Sequence, residues 1–202
     1  MDRRDPRAGA QARARGHPPP RHRLRDRQEL LAVPGEGWRV TACDVSPHML
    51  DRAAAKAPPG VKLHLADARE LPCYGSFDLV LLLDDVVNYL ADGDELVRAL
   101  ATAGANLARG GVLVFDTNLL RAYRTFFAET VIVEDGDTFL AWRGRTPADA
   151  APGVLAEAAL DAFVRDADGR WQRHDGGVHQ QRYHTEGELR AALAQGVCRD
   201  VT

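Results

Sequence analysis

The chain changes hydrophobic period several times after residue 38, and each change marks an element. Trp38 to Cys43 alternates apolar and polar positions and ends at Asp44, as a half-buried strand does. Ser46-Pro47 supplies a capping hydroxyl and a first-turn proline. Met49, Leu50, Ala53, Ala54 and Ala57 then recur at helical spacing until Pro58-Pro59-Gly60. Val61–Leu65 predicts a second strand ending near Asp67. Phe77–Leu83 is a continuous apolar run, expected to be buried on both faces of a parallel sheet. Asp92–Ala108 predicts a helix closed by Gly110-Gly111, and Val112–Phe115 a fourth strand ending at Asp116. Strands alternating with helices in this way predict a doubly wound α/β sheet.

The pattern then turns antiparallel. Val131–Glu134, Phe139–Arg143, Leu155–Arg165 and Trp171–His184 read as strands, with turns expected at Asp135-Gly136, Asp168-Gly169 and Gly176-Gly177. Thr185–Ala194 predicts a closing helix, with Thr185 and Glu188 spaced for a capping box. Ahead of Trp38 no periodicity appears except Leu30-Leu31-Ala32-Val33, a short run limited by Pro34 that would serve at most as a surrogate strand. The expected division is an Arg/Pro-rich extension over 1–37, disordered or out of frame, and an α/β core over 38–130. A β-rich insertion over 131–184 and a terminal helix with a truncated strand over 185–202 complete it.

Composition narrows the function classes. With 45% hydrophobic residues the 202-residue chain can bury a core, and a net charge of −3 argues against a dedicated nucleic-acid binder. No apolar run approaches the roughly 20 residues a membrane span needs. Cys43, Cys73 and Cys198 are odd in number and widely spaced, which disfavours a disulfide scaffold or a zinc site and points to a reducing cytoplasm. His174, His179 and His184 have a spacing that fits neither a helical pair nor one strand face, so no metal is expected. All but Lys56 and Lys62 of the 26 basic residues are arginine, the mark of a GC-rich coding sequence rather than of arginine chemistry.

Ligands of open parallel sheets bind beyond the carboxyl ends of the strands. Every core strand here ends in an acid: Asp44, Asp67, Asp84 with Asp85, and Asp116. A carboxylate ending one strand suits a ribose diol, and one ending the next suits an exocyclic adenine amine. Any one of these acids alone is as well explained as a turn or cap residue; four together outline a nucleoside-shaped crevice.

The stretches VTACDVSPHMLDRAAAKA, LHLADARELP, FDLVLLLDDVVNYL and ARGGVLVFDTN, in that order over residues 38–118, resemble the class I S-adenosylmethionine-dependent methyltransferases, in particular a small-molecule branch of the methyltransferase-domain-25 type. HQQRYHTEGEL, residues 179–189, resembles the lid strand and following helix of that branch. The resemblance implies a Rossmann-like, mostly parallel sheet with S-adenosylmethionine as cofactor and a small molecule as methyl acceptor. By it Asp44 holds the ribose hydroxyls, Val45 and Met49 pack on the nucleoside, Asp67 and Ala68 border the adenine, and Asp84 faces the methionine end. Asn88, Tyr89, Asn118, Tyr123 and His184 are the expected acceptor contacts, and no fixed catalytic group is expected, because the cofactor supplies the electrophile.

One departure stands out. The family's glycine-rich loop belongs roughly 20 residues before Asp44, and no glycine occurs between Gly16 and Gly35. The central first strand of the fold is missing with it, and the sequence after Ala191 is too short for two further strands, so both ends of the fold are expected to be incomplete. Pro20–Glu29 can be encoded so that the frame one nucleotide later reads Arg-Asp-Ile-Ala-Cys-Gly-Thr-Gly-Lys-Ser, the absent motif in the right place. Two other functions remain open on sequence alone. A nicotinamide-dependent oxidoreductase would also place an acid such as Asp44 on a ribose, but Lys56 and Lys62 lie away from the strand ends where a Tyr/Lys base would act. A non-catalytic descendant with an incomplete cofactor site is the other.

Overall fold

The computed structural model describes residues 38–196. The extension over 1–37, including Leu30–Val33, and the predicted strand after the last helix lie outside the described residues. The fold is α/β, with parallel strand pairs and a separate antiparallel sheet. Strand β1 (Thr41–Asp44) pairs in parallel with β2 (Lys62–Leu65), and β3 (Phe77–Leu82) pairs in parallel with β4 (Leu107–Phe115). Each parallel partner is reached through a helical connection, as parallel pairing requires. Helix α1 (Pro47–Ala54) begins where Ser46 Oγ accepts the Met49 amide at 3.4 Å, with proline in its first turn.

Helix α2 (Gly93–Ala105) ends earlier than the sequence predicts. Asn106, only 5% exposed, stops it. The Asn106 Nδ2 donates to Pro72 O (3.1 Å) and Thr102 O (3.0 Å), its Oδ1 accepts Tyr74 N (2.8 Å), and its carbonyl accepts Phe77 N (2.9 Å). Those bonds turn the chain straight into β4. Gly110-Gly111 therefore lie inside the strand, in a stretch looped out between Leu107, opposite Phe77, and Val112, opposite Leu79. The double-sided burial expected for β3 is also not seen: only Leu82 is buried, and Leu79, Val80 and Leu81 are half-buried. The physical reason is coverage, because β3 has one strand neighbour among the described residues.

Residues 130–182 form a four-stranded antiparallel sheet in chain order, β5 (Thr130–Asp135), β6 (Thr138–Gly144), β7 (Leu155–Arg165) and β8 (Trp171–Arg182). The hairpin between β5 and β6 turns at Gly136-Asp137, with Asp135 opposite Thr138. Gly176-Gly177, expected as a turn, instead lies within β8. The register there runs from Ala159–Val178 to Asp161–Asp175, so two glycines oppose Leu160 alone. This is a β-bulge of the kind glycine permits. A Cβ on Gly176 would meet Leu160 Cγ at 2.8 Å, and Gly177 has φ +80°.

Two apolar clusters hold these parts together. Leu96, Ala99, Leu100 and Ala103 form one stripe of α2, at i, i+3, i+4 and i+7, and pack with Leu82, Val87, Leu90, Ala192 and Leu193. Ala192 and Leu193 come from α4 (Glu186–Gly196), whose predicted capping box forms: Glu188 N donates to Thr185 Oγ1 (3.2 Å) and Thr185 N to Glu188 Oε2 (2.8 Å). The second cluster joins Tyr123 and Phe127, in and after the short helix α3 (Leu120–Arg124), to Trp142, Ala156, Ala158 and Leu160 of the antiparallel sheet.

Candidate active site

The carboxyl ends of β3 and β4 are tied by acids. Asp84 and Asp85 are the two non-glycine residues with positive φ among the described residues, at 63° and 56°. Two successive left-handed L-residues are strained, and the Asp116 carboxylate holds them. It accepts the Asp84 amide at Oδ2 (3.1 Å) and the Asp85 amide at Oδ1 (2.9 Å). This geometry turns the two side chains out at the end of the sheet, where ligands of such folds bind.

Asp85 then links the core to the antiparallel sheet. Its Oδ2 accepts Gln181 Nε2 at 2.6 Å and Asn118 Nδ2 at 3.0 Å, and Asn118 Nδ2 also reaches Gln181 Oε1 at 3.1 Å. Asn88, fully buried, donates from Nδ2 to Thr117 Oγ1 (3.1 Å) and Arg182 O (3.0 Å), and its Oδ1 accepts Asn118 N (2.8 Å). Tyr123, 1% exposed, donates to Arg182 O at 3.3 Å; burial, reinforced by the nearby Asp85 charge, pushes its phenol pKa far up. Tyr89 is half exposed and its Oη lies 2.9 Å from His179 Nδ1 on β8.

Of the expected acceptor contacts, the structure thus gathers Asn88, Tyr89, Asn118 and Tyr123 at one place. It sets His184 apart. Both His184 ring nitrogens are engaged: Arg182 Nη1 donates to Nδ1 at 2.7 Å, so Nε2–H donates to Leu90 O at 3.0 Å. With 1% exposure, His184 is an interior strut between β8 and the core. Burial and the Arg182 charge lower its pKa, keeping the ring neutral.

The expected nucleoside residues lie on the other strand pair. Asp44 Oδ1 accepts Ser46 N at 2.7 Å, Val45 is 67% exposed beside it, and Met49 is half-buried on the first turns of α1. A carboxylate beside an exposed apolar side chain fits a ribose and its base. Asp67 fits less well, because Arg69 occupies it: Arg69 Nη2 donates to Oδ2 at 2.6 Å, and Nε and the backbone N donate to Oδ1 at 2.9 and 2.8 Å. Those bonds hold the Asp67 carboxyl below its usual range, and Arg69 carries on to Glu95 at 2.6 Å. Ala68 anchors the same turn through its carbonyl, which accepts Thr102 Oγ1 at 2.6 Å. The described residues therefore fit a nucleoside at Asp44 and Val45, and a polar acceptor at the Asp85 network. No group of three metal-ligating side chains occurs among the described residues, and no described helix is long and apolar enough to cross a membrane.

Sequence reasoning missed Gln181 and His179, which come from an inserted strand far along the chain. The signals available were their alternation with exposed Gln180 on β8 and the resemblance of residues 179–189 to a lid strand, neither of which names their partners.

Known proteins resemble this chain in sequence and in fold. A family described as "Methyltransferase domain" matches residues 28–111. A solved S-adenosylmethionine-dependent methyltransferase from Clostridium acetobutylicum superposes with a TM-score of 0.67 at 26% identity, over 79% of this chain and 63% of that one. The chain is similar in sequence and fold to S-adenosylmethionine-dependent methyltransferases. CalS10 of Micromonospora echinaspora, an amino pentose methyltransferase solved with S-adenosylmethionine bound, matches with a TM-score of 0.58 at 28% identity, over 78% of this chain and 65% of that one. A Geobacillus sp. (strain WCH70) protein named as a methyltransferase is 29% identical over 149 residues, 72% of this chain and 59% of its own length. The chain thus spans about three fifths of the length of these methyltransferases.

Proposed function

We propose that the chain is built for S-adenosylmethionine-dependent methyl transfer to a small-molecule acceptor in the cytoplasm, and that this 202-residue form is impaired in it. In this reading residues 38–130 bind cofactor and residues 131–184 cover the acceptor. The observation that carries it is the strained, acid-pinned end of β3, tied to the antiparallel sheet through Asp85, in a chain similar to methyltransferases. Bound cofactor supplies the electrophilic methyl group, so the chain's work is to align the acceptor and exclude water. Asp44 accepts the ribose hydroxyls, Val45 and Met49 flank the base, Asp67 and Ala68 border it, and Asp84 faces the methionine end. Asn118, Tyr89 and Tyr123 lie on the acceptor side. His184 and Asn88 hold that wall in place.

The impairment follows from the residues before β1. In the sequence, Arg25, Asp26, Arg27 and Gln28 occupy the positions where the resemblance implies the glycines that let backbone approach the cofactor. The family match favours neither an oxidoreductase nor a non-catalytic descendant. Calorimetry with S-adenosylhomocysteine separates the readings. The chain as it stands is expected to show no saturable binding. Replacing residues 20–29 by Arg-Asp-Ile-Ala-Cys-Gly-Thr-Gly-Lys-Ser is expected to create it. In that rebuilt chain Asp44→Asn keeps an acceptor for Ser46 N but loses the charge. It should weaken binding about tenfold or more, as loss of charge-assisted bonds does. A rebuilt chain that binds a nicotinamide dinucleotide and not S-adenosylhomocysteine would overturn the assignment.

A further inference from the structure

Tyr89 and His179 are 90 residues apart in sequence, and their side chains meet at 2.9 Å. Tyr89 closes the 3₁₀ turn that follows Asp84 and Asp85, so its ring stands at the end of β3. His179 projects from β8 two residues before Gln181, the partner of Asp85. The two rings meet edge to face at 6.2 Å, and the His179 ring leans on Trp142 at 5.3 Å. Trp142 is itself fixed, with Nε1 donating to Phe126 O at 2.8 Å and its ring stacked on Phe126 at 4.5 Å. The histidine is thereby held on a rigid aromatic wall, while Tyr89 remains 38% exposed at the mouth. A buried structural pair would have no need of that exposure.

We infer that Tyr89 and His179 form the acceptor-facing proton pair of the site, and that the acceptor's nucleophile is an amine; this rests on the methyl-transfer reading above. In the tautomer that leaves Nδ1 unprotonated, the Tyr89 hydroxyl donates to His179. An acceptor ammonium gives a proton to the Tyr89 oxygen as the Tyr89 proton passes to His179 Nδ1. The exposed nitrogen lone pair then forms the N–C bond to the methyl carbon, the C–S bond breaks, and its electron pair stays on sulfur. The positive charge once on sulfur moves to the methylated nitrogen and departs with the product, the acceptor's proton remains on the Tyr89 oxygen, and the former Tyr89 proton, now on His179, passes to solvent after turnover. An amine suits this pair because its proton lies within reach of a phenol–imidazole couple. An alkyl hydroxyl, far less acidic, would demand a stronger base.

The test reads the histidine directly and needs no turnover. The full chain, labelled with ¹⁵N-histidine, is titrated with glucosamine as a primary-amine probe and with glucose as its hydroxyl control. The His179 Nδ1 resonance is expected to move with glucosamine and to stay in place with glucose. Tyr89→Phe should shift that resonance without ligand and weaken the glucosamine response about tenfold, the value of one hydrogen bond to a charged group. The far-ultraviolet spectrum of Tyr89→Phe checks that it folds. Equal responses to the two probes, or none, would overturn the inference. Calorimetry with S-adenosylhomocysteine on the rebuilt chain reads the methyl-transfer assignment separately, so failure of one is not mistaken for failure of the other.

Discussion

Asp84 shows how a single residue can carry a conflict between stability and use. Its left-handed φ of 63° costs energy for any L-residue, and the structure meets that cost with the Asp116 carboxylate rather than by placing glycine there. Strain of this kind gathers at functional sites, which agrees with the cofactor role proposed for its side chain. Asp84→Gly and Asp84→Ala both delete the carboxylate, but only glycine removes the strain. Asp84→Gly is therefore expected to be more stable than Asp84→Ala by about 1–2 kcal/mol, read from denaturant midpoints. In the rebuilt chain both should lose cofactor affinity alike. Equal stabilities would mean that the turn is not strained as drawn. His184 gives a second residue-scale expectation. Its folded pKa lies below the unfolded value of about 6.5, since burial disfavours the charged ring. The unfolded chain thus takes up the proton first. The stability from neutral His184 is whole above about pH 6.5 and falls as the pH drops from there through the folded pKa. Urea titrations at pH 7.5 and 5.5 should show this loss, and His184→Gln should be flatter over the same interval.

At the scale of elements, most of the architecture was legible because local signals and tertiary needs agree. Ser46-Pro47 starts α1, the Leu96–Ala99–Leu100–Ala103 stripe faces a core, and Thr185 with Glu188 caps α4. Glu188 shows how fully that cap forms: burial raises its pKa, yet the Thr185 amide and the Arg182 guanidinium outweigh it and hold the carboxyl near about 2. Two elements were misread, each where one residue type serves two purposes. Gly110-Gly111 resembles a helix stop, but buried Asn106 ends the helix first, through partners in other segments that no local window contains. Gly176-Gly177 resembles a hairpin turn but forms a bulge, because the turn before β8 already lies at 167–169. That difference is testable. Gly177 needs a left-handed backbone at φ +80° with open space around it, so Gly177→Asn should be tolerated and Gly177→Val should cost about 1–2 kcal/mol or more. If Gly177 occupied an ordinary extended position, valine would cost nothing or stabilise. The candidate site was legible only in part. The acids at the strand ends are visible in sequence, but their partners are not: Asp67 is spent on Arg69, and Asp116 on two backbone amides.

For the whole molecule, the decisive feature is the division of the parallel strands into two pairs. Among the described residues, β1 bonds only to β2 and β3 only to β4. The resemblance implies that the strand carrying the glycine loop would lie between β1 and β3, so that one segment would both complete the sheet and build the proposed cofactor site. Stability and cofactor binding are therefore expected to be gained together. Each backbone group left unsatisfied in a buried setting costs about 1–3 kcal/mol, so a strand that pairs on both sides should add several. Hydrogen exchange on the chain with residues 20–29 replaced by Arg-Asp-Ile-Ala-Cys-Gly-Thr-Gly-Lys-Ser should show slower exchange at outward-facing amides of both β1 and β3, alongside a higher melting temperature and S-adenosylhomocysteine binding. Slowing on one strand alone would mean that the segment docks at an edge and does not join the pairs. The coding sequence gives an independent reading of the same idea. If the frame one nucleotide later over codons 17–38 contains no Gly-x-Gly, a shifted frame is not the origin of the missing loop, and the replacement becomes an arbitrary one. If it does contain the motif, and protection still fails to rise on either strand, the two parallel pairs are complete without it.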